Sequence, residues 1–164
     1  MTDPAPVLRP ACLADASAIF TLSEEVERVH REQHPELFRP EAAARIDPGF
    51  VERSLSDPNV GLLVAALKGV VLGFVRVVAT RTPEGHALTP RSFARVDELA
   101  VAVHARRQGI GKLLLAAAEG WARAQQLPAM EVTVWAFNEA ASELYEKQGF
   151  SVLRQYLRKE FSPV

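Results

Sequence analysis

The sequence predicts a single α/β domain built on a mixed, mostly antiparallel twisted sheet flanked by helices. Three observations carry that expectation. Two apolar, β-branched runs, Val60 to Leu67 and Val70 to Ala79, are separated only by Lys68-Gly69, the spacing of a tight hairpin. Twice further along, an apolar strand pattern gives way to a helical period, first near Ile110 and again near Asn138, which is how a chain makes parallel crossovers. The chain has 164 residues, 48% of them hydrophobic, enough for one core that buries about 70% of the surface the unfolded chain exposes. One domain over residues 1–164 is expected, with no internal repeat and no low-complexity linker.

The elements follow in order. Val7-Leu8-Arg9 reads as a short strand. Asp15 stands where a cap belongs for a helix through about His30, with Ile19, Leu22, Val26 and Val29 at three- and four-residue steps. A shorter helix after Pro48 carries Phe50, Val51 and Leu55, and Asp57-Pro58-Asn59 stops it. The hairpin comes next, then a loop from Thr80 to Ser92 with two prolines and a glycine, then a strand from about Phe93 to Val103. Ile110, Leu114, Ala117 or Ala118, Trp121 and Gln125 fall on one face of a helix that Leu127-Pro128 ends. Met130 to Trp135 reads as strand and Asn138 to Gln148 as helix, with Gly149 as its C-terminal cap. Phe150 to Phe161 reads as a closing strand.

Composition excludes several classes. Nineteen Lys and Arg against 20 Asp and Glu leave a formal charge of −1, which argues against a dedicated nucleic-acid binder or a polybasic membrane protein. The single cysteine, Cys12, makes neither an internal disulfide nor a multi-cysteine zinc site, and no metal is expected. Residues 1–10 lack a basic segment followed by an apolar run, so no signal peptide is read. No apolar stretch approaches the roughly 18 residues of a membrane span, and a cytoplasmic protein is expected.

The most informative segment joins the third strong strand to the helix after it: Arg106-Arg107-Gln108-Gly109-Ile110-Gly111-Lys112. A helix N-terminus presents unpaired N–H groups and a partial positive charge, which together hold phosphate. Gly109 and Gly111 allow close approach of the backbone, and Arg106, Arg107 and Lys112 add positive charge. Spacing decides which phosphate. A nucleoside-triphosphate loop needs a Ser or Thr after the lysine and a glycine five positions before Gly111, where Leu113 and Arg106 stand. A dinucleotide fingerprint needs a third glycine where Leu114 stands. A tight turn with no ligand also uses two glycines.

These residues resemble the GNAT N-acetyltransferase superfamily. Its pyrophosphate loop, Q/R-x-x-G-x-G/A, is matched at every specified position by Arg106 to Gly111. Its downstream signature, N-x-x-A-x-x-x-Y-x-x-x-G-F, is matched by Asn138 to Phe150. The two motifs and the strands before them cover about residues 93–150. The resemblance implies the acyl-CoA N-acyltransferase fold with splayed central strands and acetyl-CoA as co-substrate. It also implies that Leu99, Ala100 and Val101 pair through their backbone with the pantetheine arm. Arg106, Arg107, Gln108, Gly109, Ile110, Gly111 and Lys112 would then carry the pyrophosphate, with Asn138 on the CoA arm and Tyr145 as general acid for the departing thiolate. Asn138 and Tyr145 are seven residues apart, nearly two helical turns, so they share a face. A phenol with a pKa near 10 within hydrogen-bond reach is a competent donor for that leaving group.

The acceptor nitrogen must be neutral to attack, so a base is needed. Some family members carry a Glu in the strand before the Asn; the aligned residue here is Thr133, which cannot serve. Glu98, next to the pantetheine strand, is the first candidate, with Asp97 and Glu131 behind it; His104 at the loop entrance reads as a solvated histidine. The resemblance further implies that the first helix, its following loop and the loop between the third and fourth strands shape the acceptor site. There Glu24, Glu25, Glu27, Glu32, Glu36 and Glu41 outnumber Arg28, Arg31 and Arg39, a bias that suits a cationic amine as well as it suits a solvated helix face.

The reading is an acetyl-CoA-dependent N-acetyltransferase that moves acetyl directly to a primary amine of a small molecule or peptide. Cys12 lies far from both motifs and offers no covalent route. No nucleic-acid or membrane partner is expected; the residues do not set the oligomeric state, and the resemblance is compatible with a homodimer, since many relatives of such a family pair. The alternative is a non-catalytic acyl-CoA-binding or regulatory domain on the same fold.

Overall fold

A computed structural model describes residues 5–38, 47, 49–85 and 87–161. Among them the chain runs β1 (Val7–Pro10), α1 (Ala16–Gln33), α2 (Phe50–Ser56), β2 (Val60–Leu67), β3 (Val70–Arg81), β4 (Ser92–Val101), α3 (Ile110–Ala124), β5 (Met130–Val132) and α4 (Glu139–Lys147). Short 3-10 turns lie at Leu13–Asp15 and Val103–Ala105. The sheet order is β1-β2-β3-β4-β5. The first four strands pair antiparallel, and β5 lies parallel to β4 after the α3 crossover. The hairpin between β2 and β3 turns at Lys68 (φ 49°) and Gly69 (φ 82°). Two successive positive φ values suit the right-handed twist of the strands it joins.

Cross-strand partners share a face, and the faces are dressed differently. Arg76, opposite Glu98, lies under α2: its Nε donates to Ser54 Oγ at 3.2 Å and its guanidinium sits 5.3 Å from the Phe50 ring. Val77, one residue on, lies on the opposite face with its partner Gly61. There a Cβ built on Gly61 would stand 2.8 Å from the Trp121 ring of α3. So α1 and α2 cover one face and α3 the other. Ile19, Val64, Phe74, Val75, Val77, Leu114 and Leu115 are fully buried between them.

The mixed α/β class and the order of strands and helices along the chain as far as α4 stand as the sequence predicts, and of one or two expected parallel crossovers the sheet has one. Four details differ. First, β4 ends at Val101, two residues before the predicted Val103, because the chain turns into the 3-10 segment. Second, β5 covers three residues where the pattern reads six, since Thr133 onward leaves β4. Third, the Asp15 side chain does not cap α1. It bonds the Cys12 amide at 2.9 Å and takes both ends of the Arg9 guanidinium at 2.7 and 2.8 Å, which holds its carboxyl down at about 2. Fourth, Phe150 to Phe161 is no strand. Residues 151–161 are exposed and, among the described residues, join no strand of the sheet and make no backbone hydrogen bond, so the apolar alternation there finds no partner strand.

Candidate active site

The site starts from an irregularity in β4. Arg76 stands opposite Glu98 and the next residue, Val77, stands opposite Val96, so Asp97 is an extra residue in β4, a β-bulge. In a regular strand Glu98 would share the face of Val96, under α3. The added residue re-aims it to the face of Arg76, under α1. There it is 7% exposed, and its Oε1 accepts a hydrogen bond of 2.5 Å from Ser23 Oγ. Asp97 is spent on charge pairing, 2.5 Å from Arg76 and 3.5 Å from Arg95. Glu131 is ion-paired with Arg91, whose guanidinium also sits over Phe93.

The bulge lies where β4 leaves β5. Their pairing covers only Ala94–Val96 against Met130–Val132; beyond it β4 continues beside β3 alone, with Leu99, Ala100 and Val101 opposite Val75, Phe74 and Gly73. The central strands therefore splay, and one edge of Leu99 to Val101 faces the opening. Ala100 is buried, while Leu99 and Val101 are half-buried.

At the end of β4 the chain forms the turn into α3. Arg106 folds back, its Nε donating to Val101 O at 3.1 Å, and Gln108 Nε2 donates to His104 O at 2.9 Å. Arg107 (φ 63°) and Gly109 (φ 82°) adopt left-handed backbone conformations, a strain for the arginine and none for the glycine. Leu113 N bonds Gly109 O, so the N–H groups of Ile110, Gly111 and Lys112 lie ahead of the first helical bond. A Cβ on Gly109 would meet nothing within 4 Å; one on Gly111 would stand 2.9 Å from Leu144 Cδ2. The two glycines thus serve different ends: Gly109 its φ, Gly111 the packing of α4 on α3. Arg107, Lys112 and His104 are exposed.

On α4, Asn138 Oδ1 accepts from Ala141 N at 3.1 Å and caps the helix, so its amide nitrogen is the end left for a ligand. Two turns on, Tyr145 packs against the core, with Phe150 edge-on at 5.5 Å. Loss of water around the phenol pushes its pKa up to about 12. Gly149 (φ 86°) ends the helix, and Phe150 N reaches back to Tyr145 O at 3.0 Å. Leu144 of α4 thus leans on the start of α3, while Glu98 lies under α1.

A third group escapes sequence reading. His30, His34 and Phe38, at the end of α1 and just after it, meet Trp135 and Phe137. His34 lies 5.1 Å from Trp135 and 5.6 Å from Phe137, and His30 stacks on Phe38 at 5.7 Å. A hundred residues separate the two halves, and neither has a motif. Beside them an open cleft of about 220 Å³ is lined by Arg28, Arg31, Glu32, Pro35 and Phe38. Glu24 lies 3.5 Å from Arg31, and Glu36 lies 3.2 Å from His34 and 3.8 Å from Arg158. Glu24 Oε1 and Glu25 Oε2 are buried without a hydrogen-bond partner among the described residues. Arg39 and Glu41 lie outside the described residues. Among those described, no three His, Cys, Asp or Glu side chains gather as a metal site, and no helix is long and apolar enough to cross a membrane.

Comparison with known proteins bears on this arrangement. The model of the acetyltransferase (GNAT) family matches residues 22–150. The chain is 25% identical over 143 residues to YhfO of Bacillus subtilis (strain 168), an uncharacterized N-acetyltransferase, spanning 87% of this chain and 88% of that protein. Among solved structures, a mutant of the BH1408 protein from Bacillus halodurans superposes with a TM-score of 0.88 at 21% identity, covering 95% of this chain and 99% of that one. An aminoglycoside N-acetyltransferase in complex with CoA gives 0.64 at 15% identity, covering 96% and 100%.

Proposed function

Because the chain belongs to the acetyltransferase (GNAT) family and is thereby an N-acetyltransferase, we propose that it uses acetyl-CoA and transfers acetyl directly to a primary amine of a small molecule or peptide. The observation that carries the reading is the opening of β4 from β5 after Val96, with the uncapped start of α3 at the end of the same strand. A splayed strand offers backbone to an extended arm, and a helix N-terminus with Arg107 and Lys112 beside it offers N–H groups and charge to a pyrophosphate. The residues fit the co-substrate: Leu99, Ala100 and Val101 for the pantetheine arm, Arg106 to Lys112 for the pyrophosphate, Asn138 Nδ2 for the arm's polar groups.

When bound, acetyl-CoA supplies the activated acyl group as a thioester. Glu98 takes the proton that the acceptor ammonium must lose, directly or through water, and Ser23 holds that carboxylate by its Oε1. Among the candidate carboxylates, Glu98 is the one that the bulge turns to the α1 face beside Ser23, which favours it. Tyr145, with its phenol kept protonated by burial, donates the Oη proton to the departing sulfur. Cys12 follows β1, three strands from β4, or roughly 14 Å at ordinary strand spacing, which supports direct transfer.

For the acceptor, the buried oxygens of Glu24 and Glu25 favour a cationic amine, and the ring cluster around Trp135 favours one with apolar bulk beside the charge. The aminoglycoside enzyme among the structural neighbours is compatible with an amino-sugar acceptor. The test is release of free CoA thiol over a panel of polyamines, amino sugars, amino acids and peptides, with thermal stabilisation by acetyl-CoA measured alongside. Turnover of one amine class together with stabilisation supports the reading. Absence of stabilisation by acetyl-CoA overturns it.

A further inference from the structure

Helix α1 bridges the two arms into which the sheet parts. Pairing of β4 with β5 ends at Val96 opposite Val132. Two residues on along the β4 arm, Glu98 meets Ser23 of α1 at 2.5 Å. Three residues on along the other arm, Trp135 lies 6.0 Å from His30 and 5.1 Å from His34, and Phe137 lies 5.6 Å from both. Ser23, Glu27, His30 and His34 follow one another at four-, three- and four-residue steps, so they form one stripe along the helix. The stripe therefore runs from a buried carboxylate on one arm to a set of rings on the other. Ser23 and His30 stand about 10 Å apart along the axis, and helical side chains lean toward the N-terminus, which brings the ring back toward the carboxylate. The ring wall is unfinished. Phe38 stacks on His30 and lies 5.6 Å from Trp135, yet Trp135 keeps 37% of its surface in water.

The geometry points to an arylalkylamine as acceptor: a flat aromatic ring seated on Trp135 and His34, joined by a chain of about two to four carbons to a primary ammonium at Glu98. The inference rests on acetyl transfer at this site and goes past it by naming the acceptor. His30, His34, Phe38, Trp135 and Phe137 present faces and edges at centroid separations from 5.1 to 6.2 Å, the spacing at which one more aromatic ring gains attraction beyond the area it buries. A saturated ring of the same size gains the area alone. An amino sugar would bring hydroxyls against ring faces, where the lost water is poorly replaced, and His34 already spends its Nδ1 on Glu36 at 3.2 Å. The charged end suits Glu98, with Glu27 half-buried on the stripe between the carboxylate and the rings. The reaction balances. Glu98 takes one ammonium proton and passes it to water; the nitrogen bonds the acetyl carbon as the carbon–sulfur bond breaks; and the second nitrogen proton replaces the one that Tyr145 gives to the sulfur. One ammonium and one thioester yield an amide, a free thiol and a proton.

The experiment uses the full chain. Release of free thiol from acetyl-CoA is measured with 2-phenylethylamine and 4-phenylbutylamine, with their cyclohexyl counterparts, and with an amino sugar. For each phenyl amine kcat/KM is expected to exceed that of its cyclohexyl counterpart about 10-fold, and that of the amino sugar by more. Trp135→Leu is expected to bring the phenyl-to-cyclohexyl ratio close to one while thermal stabilisation by acetyl-CoA persists. A second measurement needs no turnover. N,N-dimethyl-2-phenylethylamine, a tertiary amine that forms no stable amide, is titrated into the histidine-labelled protein; the imidazole signals of His30 and His34 are expected to shift while that of His104, at the turn into α3, stays in place. The two failures separate. Stabilisation by acetyl-CoA with phenyl amines no better than cyclohexyl ones, or with the amino sugar preferred, overturns the aryl site alone. Absence of stabilisation overturns acetyl transfer, and the imidazole titration then decides the aryl site: shifts at His30 and His34 support it, and unmoved signals overturn it.

Discussion

Ser23 Oγ stands 2.5 Å from Glu98 Oε1, linking α1 to β4 across 75 residues of sequence at the point where the central strands part. The contact exists because Asp97 is an extra residue in β4: without it Glu98 would lie on the other face, under α3. The bulge therefore lies where the pairing with β5 stops and presents a carboxylate to the α1 face of the sheet.

Glu98→Gln is expected to lower kcat/KM by roughly 10²-fold near neutral pH, within the usual reach of a general base. Activity should recover partly at alkaline pH, where more of the acceptor amine is already neutral. Ser23→Ala removes only the group that orients the carboxylate, so a several-fold fall in kcat with little change in KM for acetyl-CoA is expected. Steady-state kinetics over pH for both variants checks this, and an unchanged pH profile in Glu98→Gln would remove Glu98 from the proton path.

Tyr145→Phe deletes one hydroxyl and keeps the ring against Phe150 and the core. Expected are a loss of kcat of about 10² to 10³-fold and unchanged affinity for CoA. With the phenol pushed up to about 12, the wild-type enzyme should show no alkaline loss from this group below about pH 11. The linkage has a definite sign. The folded value lies above the unfolded value of 10, so the tyrosine's contribution to stability is complete below pH 10 and falls as pH rises toward 12. Calorimetric titration of CoA and thermal melts at alkaline pH measure both.

Gly109→Ala and Gly111→Ala separate two causes that look alike in sequence. The first forces a side chain to φ 82° and is expected to cost about 1 kcal/mol, with weaker stabilisation by acetyl-CoA because the turn itself shifts. The second places a methyl 2.9 Å from the flexible end of Leu144, so α4 must give way slightly. Gly111→Ala combined with Leu144→Ala should recover part of that loss, whereas Gly109→Ala with Leu144→Ala should not. Chemical denaturation of the single and double variants decides it.

Asp15 predicts acid sensitivity. Its carboxyl is held at about 2 by the two-pronged contact with Arg9 and by the Cys12 amide, below the unfolded 3.8. Its contribution is present above pH 4 and is lost as pH falls toward 2. At neutral pH it amounts to about 1 to 2 kcal/mol after allowance for the partly exposed arginine. Asp15→Asn should remove that difference, seen as a melting curve whose midpoint changes less between pH 5 and pH 3 than that of the wild type.

Where chemistry is written in contiguous residues, the sequence is legible. The turn from Arg106 to Lys112 and the helix from Asn138 to Gly149 stand as read, because a strand end, a positive-φ glycine and a helix start are local events. The ring cluster of His30, His34, Phe38, Trp135 and Phe137 is invisible in either of its two segments, since neither half has a pattern until the sheet brings them together.

By itself, then, the sequence determined the α/β class, the order of its elements, the hairpin at Lys68-Gly69 and the glycine turn into α3, all set by periodicity and backbone preference over a few residues. Only the tertiary structure decided which carboxylate lies under α1, because one bulged residue reverses a strand's faces and nothing in the run Val96-Asp97-Glu98 announces it. It also decided the fate of Phe150 to Phe161. A strand pattern states that a segment is ready to pair, and whether it does depends on an edge beside it; among the described residues, 151–161 pair with none.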